Sequence, residues 1–167
     1  MKLQIVQHKN ITTEQLNDIC TVKQVAWIFN KERQLDWIEK NLDSSDLHCI
    51  LYNETFDVIA YLNLINITLE LNRTMIEGYG IGNVCSRYPK QGIGIALMDL
   101  VKKYLVTENK IGMLFCKEKL ISFYEKTGWT HVPASISKII AGSSIIQTMV
   151  INYHEEINNL IYKDKIF

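Results

Sequence analysis

The chain is predicted to be an α+β domain: a mixed, mainly antiparallel sheet of six or seven strands flanked by about four helices. Two observations carry that prediction. Three strand-like runs, Leu47 to Tyr52, Val58 to Leu71 and Met75 to Cys85, follow one another with only short turns between them. Apolar residues at three-and-four spacing stand both before and after this block. Strands collected into a meander, with helices on either side of it in the sequence, are the pattern of an α+β sheet with covered faces.

Taken in order, Leu3 and Ile5 alternate with polar Gln4 as an opening strand. Thr12 followed by Gln15 is a capping-box pattern. Leu16, Ile19, Val22, Ala26 and Phe29 then mark one helical stripe, and Leu35, Ile38 and Leu42 a second, shorter helix. After the meander, Ile93, Leu97, Leu100 and Tyr104 return to helical spacing. Ile111 to Cys116 is a short buried strand. Leu120, Ile121 and Tyr124 open a helix that Gly128 stops, since glycine readily takes the left-handed conformation past a helix end. Trp129 to Val132 and Ile145 to Tyr153 read as the last strands, with Pro133 to Ser144 a loop between them. The tail from Glu155 to Phe167 reads as a frayed helix that pairs with another subunit, a homodimer.

The length of 167 residues suits one domain, 1–167. Lysine plus arginine equals aspartate plus glutamate at 18 each, so no global basic field recruits nucleic acid or an anionic membrane. No apolar run is long enough to span a bilayer, and the first residues lack the apolar core of a signal peptide. Cys20, Cys49, Cys85 and Cys116 are widely spaced, and no histidine stands at ligand spacing from them. They read as reduced, buried thiols of a cytoplasmic protein without a metal.

The stretch with chemistry in it runs from Val84 to Leu97, out of a strand and into a helix. The start of a helix presents backbone N–H groups without internal partners and the positive end of the dipole. Gly92 and Gly94 let a phosphate approach that backbone, and Lys90 adds charge, so a pyrophosphate is the expected occupant. A dinucleotide fingerprint lacks its third glycine, and a Walker loop lacks its Gly-Lys-Ser/Thr. Upstream, Gly78, Gly80 and Gly82 alternate along one strand, which suits a bulge or a close backbone approach.

Pro89-Lys90-Gln91-Gly92-Ile93-Gly94 resembles the R/Q-x-x-G-x-G/A motif of the GCN5-related N-acetyltransferase (GNAT) family, with proline where Arg or Gln is usual. Phe123-Tyr124 followed by Gly128-Trp129 resembles that family's second motif. Where many relatives carry an asparagine seven residues before the tyrosine, this chain has Lys117. A fainter likeness is to aminoglycoside 2'-N-acetyltransferases.

The resemblance implies acetyl-CoA as co-substrate, with Lys90, Gln91, Gly92, Ile93, Gly94 and Ile95 at the pyrophosphate. It also implies Gly82, Asn83 and Val84 along the pantetheine arm, through main chain. Tyr124 is then the acid that meets the departing thiolate, although its helical spacing taken alone reads as a core aromatic. Glu77, the carboxylate of the presumed fourth strand, is the candidate base or else a solvated edge residue. The acceptor is a primary amine of a small molecule, such as an aminoglycoside, or of a peptide or protein. A GNAT-like module that binds acyl-CoA without transfer is the alternative, favoured by Pro89 and Lys117. Trp27, Phe29 and Trp37 read either as an acceptor wall or as core.

Overall fold

A computed structural model describes residues 1–140 and 146–167. It contains β1 (Lys2–Gln7), α1 (Thr13–Ala26), α2 (Lys31–Asn41), β2 (Leu47–Tyr52), β3 (Val58–Leu71), β4 (Thr74–Ser86), α3 (Ile93–Thr107), β5 (Ile111–Cys116), α4 (Ile121–Lys126), β6 (Thr130–Val132), β7 (Ser137–Ile139), β8 (Gln147–Ile151) and β9 (Leu160–Tyr162). The α+β class stands, with four helices and a mixed sheet of nine strands among the described residues. The proposed start of the penultimate strand at Ile145 lies outside those residues. The chain packs as two compact units, one of residues 1–65 and 82–101 and the other of 66–81 and 102–167. β3, β4 and α3 contribute to both.

In the first unit β1, β2 and β3 are antiparallel neighbours, with Ile5 opposite Cys49 and Cys49 opposite Leu62. The capping box forms: Thr12 Oγ1 accepts from the Gln15 amide, and the Gln15 side chain accepts from the Thr12 amide. Both bonds satisfy donors that a helix start leaves free. The buried stripe of α1 is Ile19, Cys20, Val22 and Lys23. Ala26 and Phe29 are exposed, a correction to the expected stripe, because the helix ends at Ala26 and the backbone turns extended at Trp27.

Lys23 is therefore a lysine inside the core, 2% exposed, with its ammonium 4.6 Å from the centre of the Trp37 ring. Beside it a chain of hydrogen bonds crosses the strands. His8 Nδ1 is 2.9 Å from His48 Nε2, and His48 Nδ1 is 2.8 Å from the Tyr61 hydroxyl. His48 and Tyr61 are fully buried.

His48 and Lys23 make stability depend on pH. Burial, then the nearby His8 and Lys23, push His48 from 6.5 down to about 3. Between those values the unfolded chain takes a proton that the folded chain refuses, so stability falls as pH drops through that window. By about pH 4.5 the loss amounts to roughly 2–3 kcal/mol. Burial likewise lowers Lys23 from 10.5 to about 8, partly opposed by the thiols of Cys85 and Cys20. Here stability rises with pH between the two values, because the folded chain sheds the proton first. Lys23→Met should stabilise the protein at neutral pH by about 1–3 kcal/mol and remove the alkaline rise. His48→Gln should flatten the acid limb. Urea unfolding of the three proteins across pH checks both signs.

In the second unit β4 and β5 are parallel, with Gly78 opposite Ile111 and Ile81 opposite Leu114. β8 is antiparallel to both β5 and β6. Two strands lie where none is expected. β7 falls within the supposed loop after Pro133, and β9 falls within the supposed helical tail, antiparallel to β3 and parallel to β7. The tail is a strand because Asn72 staples it. The Asn72 side chain accepts from the amides of Asn158 and Asn159 and donates to the Glu156 carbonyl, while its own amide donates to the Asn159 carbonyl. The sheet thus takes up residues 160–162 within the same chain, so the expected frayed helix is a strand there. Beyond it the Phe167 ring packs against Phe115 and Tyr162.

Among the described residues no helix is long and apolar enough to cross a membrane, and no group of three His, Cys, Asp or Glu side chains could hold a metal ion.

Candidate active site

β4 ends at Ser86, and after six intervening residues α3 begins at Ile93. The Arg87 amide donates to the Ile59 carbonyl at 2.8 Å, which ties the loop's first residue to β3. The chain then turns through Pro89. Lys90 takes φ +67° and Gly92 φ +77°, and the Ala96 amide closes the first helical turn on the Gly92 carbonyl. With Gly92 at the cap, the amides of Ile93, Gly94 and Ile95 are the ones a helix leaves without internal partners. Lys90, Gln91 and Gly92 are exposed, and a side chain at Gly92 would meet nothing within 4 Å. This is an open cradle with a cation beside it, suited to an anion. Pro89 costs it one N–H but sits ahead of the helix, where it interrupts no turn.

Gly82, Asn83 and Val84 lie in the last third of β4. Asn83 has φ +55° inside the strand, and from Gly80 to Gly82 burial no longer alternates. The backbone irregularity expected from the glycine run is thus centred on Asn83. Gly78 and Gly80 have a different reason to be glycine. A Cβ at Gly78 would stand 2.7 Å from the Ile111 carbonyl oxygen, and the Phe167 ring occupies the space beside Gly80.

In the second unit, Tyr124 lies on α4 and is 6% exposed. Its ring meets Phe123 and Trp129 edge to face, with centroids 5.0 and 6.2 Å away. Burial pushes its phenol well above the ordinary range, so the hydroxyl keeps its proton at neutral pH. Gly128, with φ +88°, stops the helix as expected.

Glu77 is exposed and accepts a 2.8 Å hydrogen bond from Lys110, which holds its carboxyl below the usual range. An exposed, ion-paired carboxylate with a lowered pKa is a weak proton acceptor, so the geometry favours the solvated-edge reading over the base. Lys117 is exposed ahead of the short turn that leads into α4. His131 pairs with Gln147 across β6 and β8. All four cysteines are free and buried, and burial raises Cys85 to about 12 and Cys116 to about 11, which leaves them poor nucleophiles. Phe29 is half exposed with the Arg33 guanidinium 5.1 Å from its ring centre, and Trp37 lies under Lys23.

Sequence reasoning passed over Lys23, which sits on a helical stripe like any snorkelling lysine, and Asn63, the first polar residue of a largely apolar strand. Only the register, which places Asn63 opposite His48, marks it as part of a polar group inside the sheet.

This arrangement of strands and helices is the fold of the GNAT acyltransferases. No protein-family model matches the chain, and no curated protein matches it in sequence. Solved structures do match in fold. An acyl-CoA N-acyltransferase from Pseudomonas aeruginosa superposes with a TM-score of 0.64 at 16% identity, over 90% of this chain and 99% of the other. Tetrahymena GCN5 gives 0.63 at 14% identity over 95% and 99%. An aminoglycoside 6'-N-acetyltransferase complexed with coenzyme A gives 0.62 at 12% identity over 88% and 95%.

Proposed function

We propose that the chain, as one domain of residues 1–167, is an N-acetyltransferase that moves the acetyl group of acetyl-CoA to a primary amine. The observation that carries this is the open glycine cradle at the start of α3, in a fold shared with solved acyl-CoA N-acyltransferases. The amides of residues 90–95 receive the pyrophosphate, and the main chain of Gly82, Asn83 and Val84 lies along the pantetheine arm. The amine nitrogen attacks the thioester carbonyl, a C–N bond forms and the C–S bond breaks. The departing thiolate takes its proton from the Tyr124 hydroxyl, which solvent restores, and the amine's proton goes to water. Glu77 is given no part in this.

An aminoglycoside is the first acceptor to test, since one structural neighbour is an aminoglycoside acetyltransferase. A peptide amine is the second. The cytoplasm is the proposed compartment, where four buried thiols stay reduced. Thiol release from acetyl-CoA is to be followed with a panel of amines, beside direct calorimetry of acetyl-CoA. Binding with turnover on at least one amine supports the enzyme. Binding with no turnover on any amine selects the non-catalytic module, and no binding at all removes both.

A further inference from the structure

Asn63 sits within β3, a strand otherwise almost wholly apolar up to that point, and is fully buried. Its Oδ1 accepts a 2.7 Å hydrogen bond from Asn83 Nδ2. Its own Nδ2 is buried and has no hydrogen-bond partner. Folding strips water from that donor and returns nothing for it, whereas valine or leucine there would carry no such cost. An unsatisfied buried donor in a native interior calls for an acceptor that arrives from elsewhere.

The neighbouring groups are already engaged. His48 stands directly opposite Asn63 in the register, but its ring nitrogens are taken by His8 and by the Tyr61 hydroxyl. Tyr61, two residues away on the same strand face, spends its hydroxyl on His48. Asn83 is the link outward. It is half buried, carries the left-handed φ of β4, and belongs to the segment read above as the pantetheine wall. The one polar side chain of that segment is thus spent on holding the Asn63 amide in place.

We propose that Asn63 Nδ2 donates to a carbonyl oxygen of the bound acyl-pantetheine arm, either the thioester or the nearest amide, with Asn83 as the positioning residue. The inference rests on the acetyl-CoA reading. A neutral amide suits this task better than a cation, because a carbonyl oxygen is uncharged until the amine attacks. If the partner is the thioester, the bond strengthens as the oxygen gains negative charge in the tetrahedral intermediate.

The test compares coenzyme A with acetyl-CoA by calorimetry on the wild type, Asn63→Leu and Asn63→Asp. The leucine removes the donor without adding charge, while the ionised aspartate keeps the acceptor for Asn83 and replaces the donor with a buried negative charge. A thioester partner predicts that acetyl-CoA affinity falls about tenfold while coenzyme A binding is unchanged, the worth of one hydrogen bond. An amide partner predicts the same fall for both ligands. Affinities within about twofold of wild type for both, in variants with cooperative unfolding, overturn the proposal and leave the donor to a structural water. Should neither variant fold, the side-chain amide signals of Asn63 in the native protein decide. Their shift on adding acetyl-CoA supports the bond, and its absence at saturation overturns it. Failure of the wild type to bind acetyl-CoA overturns the acyltransferase reading itself, and is read before any variant is made.

Discussion

Valine at position 92 is expected to weaken acetyl-CoA binding by more than about tenfold, which is at least 1.4 kcal/mol. Two effects add. The added side chain projects into the open space where a phosphate would lie against the helix start. The residue is also held at φ +77°, a conformation that strains a β-branched side chain. The strain alone loosens the loop, so a second substitution separates the causes. Gly94→Asp lies at the second residue of α3 and brings negative charge to the cradle. It should also cost more than about tenfold, through repulsion of the pyrophosphate rather than backbone strain. Raising the salt concentration should recover part of the loss for the aspartate and little for the valine. Wild-type affinity in folded forms of both variants would place the cofactor's phosphates elsewhere.

Phenylalanine at position 124 is expected to leave acetyl-CoA affinity unchanged and to lower kcat by roughly 10²–10⁴-fold on any amine that proves to be a substrate. The substitution removes one oxygen and keeps the ring, so the edge-to-face contacts with Phe123 and Trp129 survive. That separation matters because Tyr124 is buried enough to be a core aromatic and nothing more. Its raised pKa means that the acid form persists through the neutral range, so the wild-type rate should show no fall from tyrosine ionisation below pH 10. A purely structural tyrosine predicts turnover within about twofold of wild type with chemistry rate-limiting, and that result would remove Tyr124 from the mechanism.

Much of this was open to reading in the residues because the signals are local. The Thr12/Gln15 box, the turn at Asn72-Arg73, the strand Ile111–Cys116 and the stop at Gly128 each depend on neighbours within a few positions. Their chemistry is the same in any fold. The glycine cradle belongs with them. A strand that ends, a cation, two glycines and a helical period are all contained in a dozen residues.

Other features depend on partners far away in the chain. Three residues at 160–162 carry no usable period, and they become a strand because β3 offers an edge and Asn72 anchors the approach some ninety positions upstream. The glycines at 78 and 80 suggest a bulge when read alone, yet a backbone carbonyl at Ile111 blocks a side chain at Gly78, and the ring of Phe167 would have to shift for one at Gly80. Glu77 reads equally as a base or as a solvated edge residue until Lys110, far away in the chain, stands beside it and favours the edge reading. Periodicity records which face of an element is apolar. It cannot record a polar atom that meets another across strands, and so the His8–His48–Tyr61 chain, the buried Lys23 and the unpartnered Nδ2 of Asn63 were decided by tertiary packing alone.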